Sequence, residues 1–532
     1  MNYMPVKDKV LKLASIYVRA VKQIMDITLT PQEARIFELL RAVVQAKAPD
    51  TTLRVAGGWV RDKLLGKDSN DIDVSPDNMS GEEFALLTKE FMDEHGLAAG
   101  NVAVVKANPE QSKHLATAML KIFGWPIDFV QLRTESYADS RIPEIEPGTP
   151  EEDASRRDLT INAMFYNINT GQIEDFVGGM EDLREGIART PIDPVQTFLD
   201  DPLRILRTVR FAAKYGLRLA PELIEAANRP EVQAAFRNKV SKERILSELL
   251  WKPEGKKPAA LTGPDPELAA SLLAQLGVRD LVFEILHSDV EALETEFGEG
   301  EIIPFESEQL NPHHDLNIWE HTLKTLKEAV AISRQPEVED EAVMVLTIIL
   351  HDIGKRFTGI HGTHEKGHRT YHDHAQVSAE LARRILTRLK AKNEVIDRVC
   401  RLILLHMRLH ETAGKLSAKM MRKIIGELGN DYKVLIQLSQ ADALGKRDIP
   451  EEERAETESR YQQLIPKFEE AEASMGGQKP QRPISGFDLI ELGVKPGPDM
   501  GRIFRVLDEA LLENPAMTKE EAIELSKEVL NG

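Results

Sequence analysis

Two aspartates separated by one isoleucine, Asp71 and Asp73, close a stretch that opens on paired glycines: GGWVRDKLLGKDSNDIDV, Gly57 to Val74. If DIDVS is a strand, both carboxylates project from one face, about 7 Å apart along it. That spacing suits two divalent cations about 4 Å apart, the arrangement that clamps the attacking and leaving oxygens of a phosphoryl transfer. Hard oxygen ligands favour magnesium. Gly57 and Gly58 let backbone N–H groups approach a triphosphate closely. Arg61 carries charge to neutralise it, and the later run IDFVQLR offers Asp128 as a third carboxylate. The plain alternative is a solvated Asp-x-Asp on an edge strand beside a turn.

A second constellation lies in DDPLR, where Pro202 marks a first helical position and Asp201 and Arg204, three apart, share a helix face. An ionised aspartate only accepts and an arginine only donates. Held rigidly, the pair could address one base edge in place of a nucleic-acid template; it could equally be a helix cap with an ion pair. Arg207 and Arg210 continue the row, as partners for phosphate or as a solvated face.

A third set is spread over the second half: HDLNIWEHTLKTL with His321, LTIILHDIGKRF with His351 and Asp352, YHDHAQVSAELARRIL with His374, LILLHM with His406, and SQADALGK with Asp442. Imidazole and carboxylate ligands suit a divalent transition metal or magnesium. The histidines at 361, 364, 368 and 372 read as lining a solvated loop.

These side chains must be placed by ordinary elements. TLRVAGGWV, DIDVS, NVAVVKA and PIDFVQLR alternate like strands. SGEEFALLTKEFMDEHG reads as a helix ending at Gly96. From Pro191 strand signals nearly vanish: DPLRILRTVRFAAKYG, PELIEAANRPEVQAAF and SKERILSELLW are helical. KPEGKKPAALTGPDPE reads as a linker. A second helical block over roughly 265–450 and a charged helical tail follow, with no fixed-period repeat.

At 532 residues the chain needs two to four hydrophobic cores. Charged residues at 29% and hydrophobic residues at 42% fit a soluble protein. The single cysteine, Cys400, excludes an internal disulfide and suits a reducing compartment. No apolar run is long enough for a membrane span. A cytoplasmic location is expected. The alternative is mitochondrial, since VLKLASIYVRAVKQIM at the start is basic and helical in spacing. A net charge of −19 argues against general nucleic-acid binding, so any RNA contact must be local. RNKVSKER, Arg237 to Arg244, and the arginines after Asp201 are the basic candidates.

The stretch from Gly57 to Val74 resembles the first signature of class II tRNA nucleotidyltransferases (CCA-adding enzymes) and the related bacterial poly(A) polymerases, within the polymerase-beta-like superfamily. RRDLTINAMFYN, DFVGGMEDL, LDDPLRILRTVRFAAKYGL and KVSKERILSELL match the next four signatures in order, so the resemblance covers about residues 30–250. It implies an α+β fold: a nucleotidyltransferase head with a mixed sheet and helices, then all-α RNA-binding and HD domains. The expected domains are an N-terminal helix over 1–28, the head over 29–180, a nucleotide-selecting and RNA-binding helical neck over 181–262, a helical region with an HD phosphohydrolase domain over 263–450, and a helical tail over 451–532. It implies that Asp71 and Asp73 hold magnesium, that Arg157 and Asp158 recognise the ribose 2′-hydroxyl, that Asn162 positions the triphosphate, and that Asp201 and Arg204 select C or A. The substrates would be tRNA, CTP and ATP. The long polar segment RTESYADSRIPEIEPGTPEEDASRRD favours complete CCA addition over partial addition. The ordered histidines and aspartates, with HDIGK intact, resemble the HD domain of metal-dependent phosphohydrolases, His374 and His406 falling where two-metal members carry extra histidines. Two other readings remain at this point, a poly(A) polymerase and an HD phosphohydrolase whose head only binds RNA.

Overall fold

The computed structural model describes residues 27–98, 100–105, 117–136, 143–250, 259–309, 315–332, 338–409, 416–475 and 482–531. The helix expected at the N-terminus lies, up to residue 26, outside them. Two compact units meet in sequence between Val282 and Phe283.

In the first unit, helix α1 (Pro31–Lys47) starts at a reciprocal capping box between Thr30 and Glu33. Strand β1 (Leu53–Ala56) follows, then α2 (Gly58–Leu64) and β2 (Asp73–Pro76). The strand expected through TLRVAGGWV therefore stops at Ala56. Gly57 takes φ +74°, which breaks the strand and turns the chain directly into α2. Helix α3 (Gly81–Glu94) carries a Ser80–Glu83 capping box and ends just before Gly96 at φ +64°. Strands β3 (Ala103–Val105), β4 (Thr117–Ile122) and β5 (Trp125–Phe129) come next. PIDFVQLR is not one strand: β5 ends at Phe129, and β6 (Arg133–Ser136) pairs with β7 (Glu144–Pro147) in a separate ribbon. After α4 (Pro150–Ser155) and a 3₁₀ turn over Thr160–Asn162, β8 (Phe165–Asn167) and β9 (Gln172–Glu174) complete a seven-stranded sheet of order β3-β4-β5-β2-β1-β8-β9. Among the described strands of this sheet only β2 and β5 pair parallel, with Asp73 opposite Asp128. Phe37 of α1, Trp59 of α2 and Tyr166 of β8 pack ring to ring beneath the glycine turn.

Beyond the sheet come α5 (Gly179–Glu185), β10 (Ile187–Ala188), α6 (Pro194–Asp200), α7 (Leu203–Tyr215), β11 (Arg218–Leu219), α8 (Pro221–Ala227), α9 (Pro230–Lys239), α10 (Lys242–Leu249), α11 (Pro266–Gln275) and α12 (Arg279–Val282). The linker reading is corrected from Ala259 onward. Ala259, Ala260 and Leu261 are buried, the N–H groups of Ala260 and Leu261 donate to Glu248 and Leu249 carbonyls, and α11 packs on α7. Apolar burial there outweighs the proline and glycine content that suggested a linker.

The second unit is helical: α13 (His287–Phe297), α14 (Ile318–Ile332), α15 (Val338–Leu350), α16 (His374–Arg388), α17 (Asn393–Leu405), α18 (Ala418–Leu428) and α19 (Tyr432–Gly445). Helix α19 is apolar on most sides and packs against α14 and α15. The histidine-rich segment differs from expectation: it forms a short antiparallel hairpin, β12 (His361–Thr363) against β13 (Arg369–Tyr371). His361 is half-buried, its Nε2 2.8 Å from the Lys355 carbonyl oxygen. Helices α20 (Glu451–Gln462), α21 (Leu464–Ser474), α22 (Gly486–Glu491), α23 (Pro498–Glu513) and α24 (Lys519–Asn531) form the tail, whose last part has its own small core around Leu489, Ile503 and Leu507.

Candidate functional site

The acidic pair sits at the start of β2, the central strand of the sheet. Asp71 precedes β2 and Asp73 begins it, and the alternation of exposed Asp71, buried Ile72, half-buried Asp73 and buried Val74 puts both carboxylates on the open face. The Asp128 N–H donates to the Ile72 carbonyl at 3.1 Å, so the β5 strand runs beside Asp71 as well as Asp73. Burial, and then the charge of Asp71, pushes the Asp128 carboxyl above the ordinary carboxylate range. Three carboxylates on one face repel, and a divalent cation is the chemistry that relieves them.

The glycine turn lines the same cleft as Asp71 and Asp73. A Cβ at Gly57 would meet Arg157 Nη1 at 2.7 Å, so the close approach of that guanidinium requires glycine as much as φ does. Arg157 is held by Asp153 through Nε at 3.0 Å and Nη2 at 2.7 Å, and its Nη1 donates to the Asn162 carbonyl at 3.2 Å. Asp153, whose burial would raise it, is lowered by Arg157 and Arg156. Arg61 is buried, donates to the Asn162 side chain and to Asp62, and lies over the rings of Tyr215 and Phe211. Its donors are thus largely engaged within the protein.

Asp158 is buried and receives the Leu159 N–H at 2.8 Å and Asn162 Nδ2 at 2.9 Å on Oδ1. Arg207 Nε and Nη2 both reach its Oδ2 at 2.7 Å. Burial alone would raise this carboxyl, but the Arg207 charge and those hydrogen bonds outweigh it and hold it well below the usual range. Arg207 is neither a solvated side chain nor a bare phosphate ligand.

Asp201 lies between α6 and α7. Its Oδ1 accepts the Leu203 N–H at 3.2 Å and its Oδ2 meets Arg244 of α10 at 3.2 Å. Arg204 is buried, donates to the Thr197 carbonyl at 3.4 Å and lies 3.7 Å from Glu135. Arg210 is paired with Glu248 of α10 at 2.6 Å. The basic RNKVSKER stretch therefore spends Arg244 on Asp201, just before α7.

These groups line a cleft of about 920 Å³ that includes Gly57, Gly58, Arg61, Asp71, Asp73, Arg157, Asp158, Asn162, Asp201, Arg204, Arg207 and Arg210. Asp128 stands behind its edge, next to Asp73 in the sheet. Nine cationic and seven anionic side chains line the wall, so a chain of net charge −19 keeps a locally basic cleft. Arg133, Glu135, Asp153, Arg244, Phe211 and Lys214 were not singled out by sequence. The basic run named Arg244's segment, but nothing local pointed to the others.

In the second unit, His321 (α14), His351 and Asp352 (after α15), His374 (the first residue of α16), His406 (just past α17) and Asp442 (α19) converge. All but His374 are almost fully buried. Each imidazole Nδ1 faces a backbone carbonyl: Gly445 at 3.2 Å, Ile348 at 2.7 Å, Tyr371 at 3.1 Å and Ile403 at 2.6 Å. A carbonyl only accepts, so each Nδ1 carries a proton and each ring turns its Nε2 inward. Those nitrogens meet at 3.3 Å between His321 and His351 and at 3.3 Å between His374 and His406. Burial lowers His351, His374 (to about 4) and His406, so protonation does not relieve the contact between His374 and His406. His321, His351 and Asp352 form one group able to hold a metal, and Asp352, His374 and His406 another. Asp442 lies 3.0 Å from His321 Nε2. Asp352 serves both groups and is fixed by Lys355 at 2.8 Å; Lys355, Gln309 (3.0 Å from it) and Tyr371 are participants that sequence reading missed.

The sheet with its carboxylates and basic cleft defines a nucleotidyltransferase head, and the helical unit an HD-type domain with two groups able to hold a metal. Residues 53–189 match the poly A polymerase head domain family and residues 318–456 the HD domain family. The CCA tRNA nucleotidyltransferase, mitochondrial, of Candida glabrata is 31% identical over 544 residues, covering 96% of this chain and 98% of that one. The protein of the same name from Saccharomyces cerevisiae is 44% identical over 276 residues, so the chain spans 49% of that relative's length. The solved Bacillus stearothermophilus CCA-adding enzyme in complex with CTP shares the fold, with TM-score 0.57 at 18% identity over 94% of this chain and 99% of that one. The chain belongs to the CCA tRNA nucleotidyltransferase family.

Proposed function

We propose that this protein builds or repairs the 3′ CCA end of tRNA, taking CTP and ATP without a nucleic-acid template. The observation that carries the reading is the carboxylate pair Asp71 and Asp73, with Asp128 beside Asp73 in the sheet, in a cleft whose lining also includes Asp201 and Arg204. Asp71 and Asp73, with Asp128 beside them, would hold magnesium, which neutralises the developing charge of phosphoryl transfer when bound. The RNA 3′-hydroxyl attacks the α-phosphate and pyrophosphate leaves. Arg157 and Asn162 hold the nucleotide, Asp158 reads the ribose 2′-hydroxyl, and Asp201 with Arg204 matches the base edge. The domain limits proposed are those of the sequence reading, with the neck extended through the packed α11 and α12.

The six histidine and aspartate ligands of the second unit would bind divalent metal and support hydrolysis of a phosphoester in a nucleotide or RNA end. The lone-pair contact between His374 and His406 supports that reading, as do the two groups of ligands that share Asp352. Both fungal relatives are named as mitochondrial, which supports the mitochondrial alternative for location.

The test supplies purified protein with tRNA transcripts ending before CCA, at C and at CC, each with one nucleotide at a time. Stepwise C, C, A addition is expected, and Asp71→Ala should reduce it at least ~10²-fold with the fold intact. Unbroken runs of adenylate on every transcript would replace this reading with that of a poly(A) polymerase.

A further inference from the structure

Asp158 has no vacant acceptor site. A carboxylate offers about four lone-pair positions, and here the Leu159 N–H, Asn162 Nδ2, Arg207 Nε and Arg207 Nη2 take all four. Two of these donors differ in kind from the other two. Leu159 and Asn162 belong to the buried turn that carries Asp158 itself. Arg207 comes from α7, 49 residues away, and 34% of its side chain is exposed toward the cleft. It spends two donors on a single oxygen. A hydroxyl arriving at Asp158 can displace one of those two while the other stays, and the Leu159 and Asn162 bonds to Oδ1 are untouched.

The same chain of contacts runs on. Asn162, which donates to Asp158, accepts from Arg61 of α2. Helix α2 after the glycine turn, the turn that carries Asp158 and helix α7 are thus linked side chain to side chain, and Arg207 is the link to α7. The neighbouring arginines of α7 do not share this role, since Arg204 turns to Thr197 and Glu135 and Arg210 to Glu248.

Resting on the nucleotidyltransferase reading above, we infer that Arg207 is a positioning residue for ribose recognition: it holds the Asp158 carboxylate in the one orientation in which Oδ2 accepts from a nucleotide 2′-hydroxyl. Without Arg207, Oδ2 loses both its donors and the carboxylate is free to turn or to take a proton. Discrimination between ribo- and deoxyribonucleotides then falls, while discrimination between bases, which Asp201 and Arg204 carry, stays.

The experiment measures kcat/KM for CTP against dCTP on a transcript ending before CCA, and for ATP against dATP on one ending at CC, in wild type, Arg207→Met and Arg207→Lys. Methionine keeps the stem and removes the donors. The ribo-to-deoxy ratio should fall roughly 5- to 150-fold, the range for leaving a buried polar group misplaced. Lysine keeps the charge but not the planar fork and should lie between. The CTP-to-UTP and ATP-to-GTP ratios should stay at wild-type values. A wild-type ribo-to-deoxy ratio in folded Arg207→Met, with only kcat or KM changed, overturns the inference. If the methionine variant does not fold, the lysine variant decides: a ratio unchanged from wild type overturns the inference and a fall of about threefold or more supports it. A wild-type protein adding neither C nor A would instead remove the functional reading on which the inference rests.

Discussion

Replacing Asp201 by alanine separates a base-selecting residue from a helix cap, because the structure allows both roles and assigns each a different size. As a cap, Asp201 Oδ1 satisfies the Leu203 N–H at the start of α7, and losing it costs about 0.5–2 kcal/mol. As an ion-pair partner it meets Arg244 with 21% and 27% of the two side chains exposed, so solvent screening leaves about 0.2–1 kcal/mol. Together these predict a loss of roughly 1–3 kcal/mol, a fall of several degrees in the thermal midpoint at about 2–4 °C per kcal/mol. As a base reader, its loss leaves a polar base atom unpaired at about 1–3 kcal/mol, roughly 5- to 150-fold in selectivity. The assay compares kcat/KM for CTP, ATP, UTP and GTP on transcripts ending before CCA and at CC, with the midpoint measured on the same preparation. Arg244→Ala is the control: it removes the ion pair and spares the cap, so it should lower the midpoint by the smaller amount and blur selection only so far as Arg244 aims the carboxylate. A lowered midpoint with undiminished preference for CTP and ATP in Asp201→Ala would falsify the template role and leave only the cap.

Asp128, raised by burial and the Asp71 charge, keeps its proton to higher pH than an ordinary carboxylate, so the stability contributed by its neutral form is lost as pH rises through its folded value. The acid limb of nucleotide addition should accordingly lie above the usual carboxylate range and move to lower pH as magnesium is raised; a pH–rate profile at two magnesium concentrations with an unmoved limb would take Asp128 out of the site. Gly57→Ala must adopt φ +74° and displace Arg157, a cost of about 1–3 kcal/mol measurable by denaturant titration, with nucleotide addition lost even where the variant folds. His351→Ala and His406→Ala should each lose bound metal by elemental analysis and lose the lowering of the midpoint that chelation produces in wild type, while CCA addition persists because the two sites lie in separate units. Metal content equal to wild type in both variants would exclude the histidine cluster as the site.

What sequence made legible and what it did not divide along one physical line. Asp71 and Asp73 stand out because a glycine pair and Arg61 precede two carboxylates at strand spacing; the Asp-x-Asp pair alone would read equally well as a solvated strand. The HD set is legible because histidines and aspartates on apolar helices are costly to bury without a metal. The strand boundaries were less legible: alternation in TLRVAGGWV continues past the point where Gly57 turns the chain, because hydrophobic period records burial and not φ. The proline-rich stretch after Trp251 misled in the opposite direction, since Ala259 to Leu261 are too short a run to outweigh the turn residues around them. The arginines of α7 were the least legible. An arginine specifies a charge and a fork of donors but not the carboxylate that will fill it, and here the partners lie far off in sequence: Asp158 is 49 residues from Arg207, Glu248 is 38 from Arg210, and Arg244 is 43 from Asp201. A row of arginines every third residue is therefore consistent with phosphate, with solvent, or with distant acids. Only the topology that folds α10 and the turn carrying Asp158 onto α7 chooses among them, and it ties Arg207 and Arg210 to protein carboxylates, so that this wall of the cleft has charges already paired and oriented.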